Sequence, residues 1–327
     1  SVIQLANYLR CTEEFINRAI NNEFVILEGS DALGRIYNSD DLIVQKINIK
    51  KKGRIGGFRV VYSTNTFQLS NILKTLNNYL SEIYLPDISV HGYVTGKSIR
   101  TNAEIHLAKR IILSVDIKNF FESISKEMVS EALQGIGFTK NASDWISNIT
   151  TINNHLVQGF NTSPTLANIV VDQMDKELTL SCGDAITYTR YADDLYFSSE
   201  NIIPNLNQIE SIISKYSFSL NVRKTKFMKR GRNQYVTGLT VFDNNLPRIP
   251  KRVKRNLRLE IHCIKKFGYT KHAIRRIKKS KQPVSKAEIE QEIYQTANRI
   301  FGWIHFINSI EPELGNRMFK NLIGASR

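Results

Sequence analysis

The stretch AITYTRYADDLYFSS, residues 185–199, reads as two β-prone apolar runs folded back on each other around Ala192, Asp193 and Asp194. Asp favours turns in general. Two adjacent acids at the tips of oily strands, however, carry a repulsion that a turn alone does not require. A second acid-tipped run lies upstream: IILSVDI (111–117) is almost continuously apolar and carries Asp116 at its end. In one antiparallel sheet a strand end and a hairpin turn become neighbours, bringing two or three carboxylates within about 4 Å of shared cations. The three cysteines (Cys11, Cys182, Cys263) are far apart, with no CxxC and no Cys/His cluster, so a disulfide framework and a zinc site are excluded as organising features. Oxygen ligands then point to two Mg²⁺ ions, with Mn²⁺ as a substitute. A pair of this kind activates a hydroxyl and stabilises a pyrophosphate leaving group in an in-line displacement.

Working outward, the pattern predicts short helices over 3–36, with Thr12 as a cap, and a hairpin over 43–62 closed by KKGRIGG. Apolar residues at helical spacing run from Phe67 to Ile83, and Pro86 ends that element. HGYVTGKS (91–98) is a glycine-broken loop, and Asn102 is placed to cap a short helix reaching Arg110. Helices are predicted near 125–134, 142–154, 166–178 and 205–216, and short strands at 225–229, 234–237 and 239–242. Beyond Pro250 the chain becomes helical and basic to about 280, and a last helix runs from Lys286 to Ile310. Strand, helices, hairpin, helix and strands in this order make an α+β plan: an antiparallel sheet with helices on one face.

The charge is concentrated. The chain of 327 residues has 45 Lys plus Arg against 30 Asp plus Glu, a formal net charge of +15. Residues 247–286 hold 15 of the basic residues and one acid, Glu260, and 223–232 add six more cations and no acid. A solvated basic face is the bland explanation; a nucleic-acid footprint fits the concentration better. No run reaches the ~20 apolar residues of a membrane span and no signal-peptide layout opens the chain, so the expectation is a cytoplasmic protein without a membrane partner.

The boxes in series resemble a reverse transcriptase. Tyr191-Ala192-Asp193-Asp194 is similar to the YxDD box of motif C, SVDIKNFF to motif A, QGFNTSPTLAN to motif B, LNVRKTKF to motif D, and YVTGL falls where motif E belongs. Asn102-Ala103-Glu104-Ile105-His106 resembles the NAxxH signature, and Val236-Thr237-Gly238 the VTG signature, of bacterial retron reverse transcriptases. The likeness covers roughly residues 40–310. It implies a right-hand polymerase: N-terminal helices and fingers over 1–105, palm over 106–245, and a helical, basic, RNA-binding thumb over 246–327. It also implies no further domain beyond the thumb.

The resemblance makes Asp116 and Asp193 the principal metal ligands, with Asp194 in support, and Phe121 the ring that admits dNTPs and rejects a 2′-hydroxyl. Phe120 and Phe121, at a sheet edge, are not expected both to be core. Gln158 and Gly159 would form the floor under the nascent base pair, and Lys224 would neutralise or protonate the pyrophosphate. Arg54 and Arg59 are either triphosphate ligands, which guanidinium forks suit, or ordinary exposed arginines. Asn102, His106, Tyr235, Val236, Thr237 and Gly238 are carried as RNA-binding signatures, with a capping Asn and a packed His as the alternative for the first two. Phe242 is expected in the core. Lys251, Arg252, Lys254, Arg255 and Arg258 would lie along a phosphate backbone. Motif B departs from the family pattern at Asn161, where a proline is common.

The partners implied are a cognate structured non-coding RNA serving as template and as 2′-hydroxyl primer, the branched msDNA made from it, dNTPs, and an accessory effector protein in anti-phage defence. Homo-oligomerisation is left open. Two alternatives stand beside this reading: another defence-associated or abortive-infection reverse transcriptase that makes no msDNA, and a catalytically silent RNA-binding scaffold.

Overall fold

The N-terminal helices form where the sequence supplies caps. In the computed structural model, α1 (Val2–Leu9) starts from a capping box between Ser1 and Gln4. In α2 (Glu13–Ile20) the Thr12 hydroxyl accepts the Phe15 N–H at 3.2 Å. The structure describes residues 1–29, 41–51, 57–64, 66–277 and 285–324. Of the rest of the helical stretch expected to 36, residues 25–28 are strand and 30–36 lie outside the described residues. Val25–Glu28 forms β1, parallel to β2 (Ile43–Lys50), which pairs antiparallel with β3 (Phe58–Thr64) in the expected hairpin. Three consecutive branched or long apolar residues, Val25 to Leu27, suit a strand edge better than a helix face. Next, α3 (Phe67–Ile83) buries Leu69, Ile72, Leu73, Leu76 and Leu80, the stripe read from the spacing.

The short helix α4 (Ile99–Ile105) contains Asn102 in its buried interior, so Asn102 does not cap it. Strand β4 (Ile111–Asp116) is followed by α5 (Lys126–Gly135) and α6 (Lys140–Thr150), capped by the hydroxyls of Ser125 and Thr139. A small hairpin pairs β5 (Thr151–Ile152) with β6 (His155–Leu156). The single helix expected over 166–178 is two: α7 (Ser163–Val170), with Pro164 in its first turn, and α8 (Asp172–Cys182). The helices part at Val171, and Asp172 and Asp175 sit in the first turn of α8.

The central hairpin, β7 (Thr187–Tyr191) and β8 (Asp194–Ser199), is antiparallel with Tyr191 opposite Asp194. After α9 (Leu206–Lys215), a turn of 3₁₀ helix at Val222–Lys224 leads to β9 (Lys226–Lys229). The resulting sheet has the order β7-β8-β4-β9. A two-residue turn joins β10 (Tyr235–Val236) to β11 (Leu239–Thr240). The C-terminal part is helical: α10 (Lys251–Ile277), kinked at Gly268 with φ 78°, α11 (Lys286–Ile310) and α12 (Pro312–Ile323). The sequence pattern did not separate α12. Its close packing on α11 depends on Gly315, where a Cβ would lie 2.5 Å from the Cα of Asn308.

Two compact units result, one of Ser1–Ser98 with Leu113–Phe227 and one of Ile99–Ile112 with Met228–Arg327. The segments expected as fingers and most of the palm thus share a unit, and 99–112 joins the basic C-terminal part. The first unit has one continuous apolar core, running from Ala6 through Leu113, Val115 and Phe197 to Leu220. Among the described residues, no helix is long and apolar enough to cross a membrane.

Candidate active site

The first unit brings the three acids to one place by backbone pairing. The Ile117 N–H donates to the Asp193 carbonyl at 2.9 Å, and the Asn221 N–H to the Asp116 carbonyl at 2.8 Å. Motif A is thereby fixed on one side to the Ala192–Asp193 turn and on the other to motif D. Ala192 takes φ 58° as the first residue of the two-residue turn, a left-handed conformation that usually selects glycine.

Burial, then Asp193 and Asp116, push the carboxyl of Asp194 up to about 7. Asp193 is likewise raised by burial and by Asp116. Asp116 is 5% exposed, and its Oδ2 accepts Lys224 Nζ at 2.6 Å. Burial opposes the Lys224 charge, but the bond to Asp116 and the neighbouring acids outweigh it and hold the ammonium above its ordinary range. Among the described residues, no three acid, His or Cys side chains form a preformed metal cage, and Lys224 engages Asp116. The donor set still fits hard divalent cations. It is oxygen only, confined, and more negative than its surroundings neutralise.

A cavity of about 490 Å³ opens over Asp116 and Asp193. Arg59 and Lys51 line it from the β2–β3 hairpin, Gln158, Gly159 and Pro164 from motif B, and Phe121 from motif A. Arg54 falls outside the described residues. Phe120 and Phe121 are 3% and 9% exposed and meet edge to face at 5.4 Å, so both are enclosed, contrary to the expectation for a sheet edge. Each still contributes to the cavity wall. Gly159 has φ 114°, and a Cβ there would lie 2.0 Å from the Tyr62 carbonyl oxygen. The adjacent Gln158 carbonyl accepts the Tyr62 N–H at 2.7 Å, fastening motif B to β3.

Beneath the turn lies a buried polar network that the sequence reading did not single out. Arg190 is fully buried and donates to both Asp175 carboxylate oxygens, to Asn168 Oδ1 at 3.0 Å and to the Ala192 carbonyl at 3.2 Å. Tyr188 Oη donates to Asp175 Oδ1 at 2.7 Å, and Asn168 Nδ2 to the Gly92 carbonyl at 3.0 Å. Gly92 approaches the turn so closely that a Cβ would lie 2.4 Å from the Ala192 nitrogen. An arginine and an aspartate inside an apolar pattern, fifteen residues apart, were the available signal, since buried charges of opposite sign must pair.

In the second unit the two signatures meet. Thr237 (φ 45°) and Gly238 (φ 81°) form the turn between β10 and β11, both left-handed as a type I′ turn requires. The Thr237 hydroxyl donates to the Ile99 carbonyl at the start of α4 at 2.8 Å. Asn102, His106 and Val236 are fully buried. They therefore pack this hairpin and α4 together and present no side chain to RNA, whereas Tyr235 is half-exposed. Phe242 is exposed, with Arg230 over its ring at 5.9 Å, so it is not core. On α10, Lys251, Arg252, Arg255 and Arg258 are exposed. Lys254 is not free: it bonds both Glu311 oxygens, at 3.1 and 3.2 Å.

Comparison with known proteins agrees with the boxes. The family described as reverse transcriptase (RNA-dependent DNA polymerase) matches residues 49–284, more than half of the chain. Similar curated proteins include the retron Mx65 reverse transcriptase of Myxococcus xanthus, 29% identical over 64% of this chain and 53% of that protein. The retron Mx162 reverse transcriptase of the same organism is 31% identical over 54% and 44%. The retron Ec86 reverse transcriptase of Escherichia coli is 28% identical over 66% and 68%. The chain thus spans about half the length of the first two. Among solved structures, an apo telomerase from Candida tropicalis is a distant likeness, with TM-score 0.46 and 13% identity over 86% of this chain and 61% of that one. With its sheet carrying the acids of motifs A and C, this is the right-hand polymerase fold, and the chain belongs to the reverse transcriptase (RNA-dependent DNA polymerase) family, with retron reverse transcriptases among its relatives.

Proposed function

We propose that the chain is an RNA-directed DNA polymerase of the retron type, copying part of a structured non-coding RNA from a 2′-hydroxyl primer into branched msDNA. The observation that supports this reading most is the backbone bond from Ile117 to Asp193, which sets the acids of motifs A and C side by side under a cavity lined by cations and by Phe121. Asp116, Asp193 and Asp194 would hold two divalent cations, Mg²⁺ by the chemistry of the oxygen donors. When bound, the ions activate the attacking hydroxyl and stabilise the leaving pyrophosphate.

The chain's own residues supply position and charge. Arg59 and Lys51 attract the triphosphate to the cavity mouth. Phe121 offers a flat apolar wall to the sugar, against which a 2′-hydroxyl would be desolvated without a partner. Gln158 and Gly159 would form the floor under the base pair, held in place by their close contact with Tyr62 of β3. Lys224 holds a proton close to the acids and is placed to neutralise the departing pyrophosphate. The exposed cations of α10 would bind the RNA backbone by shape and charge rather than sequence.

The test is expression with the native flanking segment, followed by denaturing gels of small nucleic acids. Parallel cultures carry Asp193→Asn or lack the upstream non-coding region. A discrete DNA joined to RNA through a 2′ branch, absent from both controls, is the expected result. Asp193→Asn is expected to lower primed synthesis by roughly a thousandfold or more, about 4 kcal/mol in the barrier. DNA that persists without the non-coding region would favour a reverse transcriptase that makes no msDNA. RNA binding with no synthesis in any culture would leave a silent scaffold. An accessory effector and a role in anti-phage defence belong to the same proposal, and phage challenge of the same cultures tests them.

A further inference from the structure

The glycine-broken loop 91–98 is not used by the chemistry above, yet it is built into the active site. It runs beside β7: the His91 N–H donates to the Arg190 carbonyl at 2.8 Å, and the Arg190 N–H to the Ser89 carbonyl at 2.9 Å. Asn168 and the close approach at Gly92 then clamp it against the catalytic turn. The next residue, Tyr93, is forced into the left-handed region at φ 61°. A bulky aromatic residue adopts this conformation only where its surroundings impose it.

The strain places the Tyr93 ring in the cavity wall. It stands edge to face with Phe121, centroids 6.4 Å apart at 62°. Its phenol lies within electrostatic reach of Asp193 and Arg59. Phe121 thus meets two rings, Phe120 at 5.4 Å from its own segment and Tyr93 at 6.4 Å from the clamped loop. A ring that excludes a hydroxyl discriminates only if it cannot swing aside, and Tyr93, fixed by its clamped loop, adds a second aromatic contact to the one from Phe120.

We propose that Tyr93 is a specificity-determining residue for the sugar of the incoming nucleotide, a positioning residue that keeps the Phe121 ring where a 2′-hydroxyl would collide with it. This rests on the polymerase reading and on Phe121 as the sugar-excluding ring. Aromatic pairs contribute about 0.5–1.5 kcal/mol beyond their buried area, which converts to a roughly 2- to 12-fold change in discrimination.

The experiment is single-nucleotide incorporation by the full chain on a primed RNA template, reading the ratio of kcat/KM for a dNTP to that for the matching rNTP. Tyr93→Asn removes the ring while keeping a residue that tolerates positive φ. Its ratio is expected to fall several-fold, through better use of the rNTP. Tyr93→Phe is expected to keep the wild-type ratio. Phe121→Ala should lower the ratio further, and adding Tyr93→Asn to it should change nothing more. An unchanged ratio in Tyr93→Asn, an equal loss for both nucleotides, or additive effects in the double variant would overturn the proposal. If Tyr93→Asn does not fold, Tyr93→Gly, which the left-handed position accepts, answers the same question. Wild-type protein that adds no dNTP would instead overturn the polymerase reading. An unchanged ratio in Phe121→Ala would overturn the role of Phe121 as the sugar-excluding ring.

Discussion

Asp194 is a residue whose folded surroundings oppose its own charge. Its carboxyl is raised to about 7 from 3.8, chiefly by burial and then by Asp193 and Asp116. The folded chain therefore binds this proton more tightly than the unfolded chain does. Without divalent cation, the protein loses stability as the pH climbs from about 4 through about 7. Asp194→Asn removes that loss. In chelator, thermal or urea unfolding is expected to show the variant more stable than wild type by roughly 1–3 kcal/mol at pH 8, with the gap closing near pH 4. Added Mg²⁺ should stabilise wild type more than the variant. Gly159 is constrained in the opposite sense, by space. A methyl 2.0 Å from a backbone carbonyl, at φ 114°, cannot be accommodated by rotating a side chain. Gly159→Ala is expected to cost on the order of 2–4 kcal/mol in denaturant unfolding and to weaken nucleotide binding, seen as a raised KM.

At the level of elements, α8 and β7 are locked by Arg190 and Asp175, a fully buried pair that also holds the Ala192 carbonyl. Asp175→Asn leaves a buried guanidinium without its counter-charge and is expected to destabilise by about 3–5 kcal/mol. Replacing both partners, Asp175→Leu with Arg190→Met, should recover much of that stability by the same physics. Polymerisation should stay impaired, because the turn has lost its anchor. Unfolding curves and primer extension on the same three proteins decide this.

The hairpins at 43–62 and 185–199, the stripe of α3 and the three acids were legible in the sequence because apolar spacing and acid-tipped strands are local signals. The network under the turn was not. Asp175 shares a helix face with Val171, Met174 and Leu178, but its partner Arg190 lies on a strand fifteen residues on, and helical spacing alone does not pair the two. Asn102 and His106 are carried as an RNA-binding signature, with a capping Asn and a packed His as the alternative, and the burial of His106 matches that alternative. Their burial against the hairpin at Thr237 and Gly238 depends on a contact between segments more than 130 residues apart, which no local pattern carries.

On the scale of the whole molecule, the formal charge of +15 rests largely on the C-terminal part of the chain, and not every cation there is available. Lys254 is neutralised by Glu311, Arg299 by Glu260 and Arg276 by Glu292, while Arg255 and Arg258 are exposed. Binding to a structured RNA should weaken steeply with salt, with log K falling linearly against log salt. Arg255→Gln with Arg258→Gln is expected to flatten that slope by nearly one per residue. Lys254→Gln should leave the slope unchanged and lower stability by about 1 kcal/mol. Filter binding across a salt series, with a melting curve for each variant, separates the two outcomes. The bond from Tyr62 to Gln158, with the carbonyl of Tyr62 filling the space that Gly159 leaves open, bears on exchange between relatives. Segments 58–64 and 157–160 are distant in sequence but form one mechanical part. A chimera that takes the β2–β3 hairpin from one parent and motif B from another must fit two backbones to each other at van der Waals distance, so the two segments have to be inherited together.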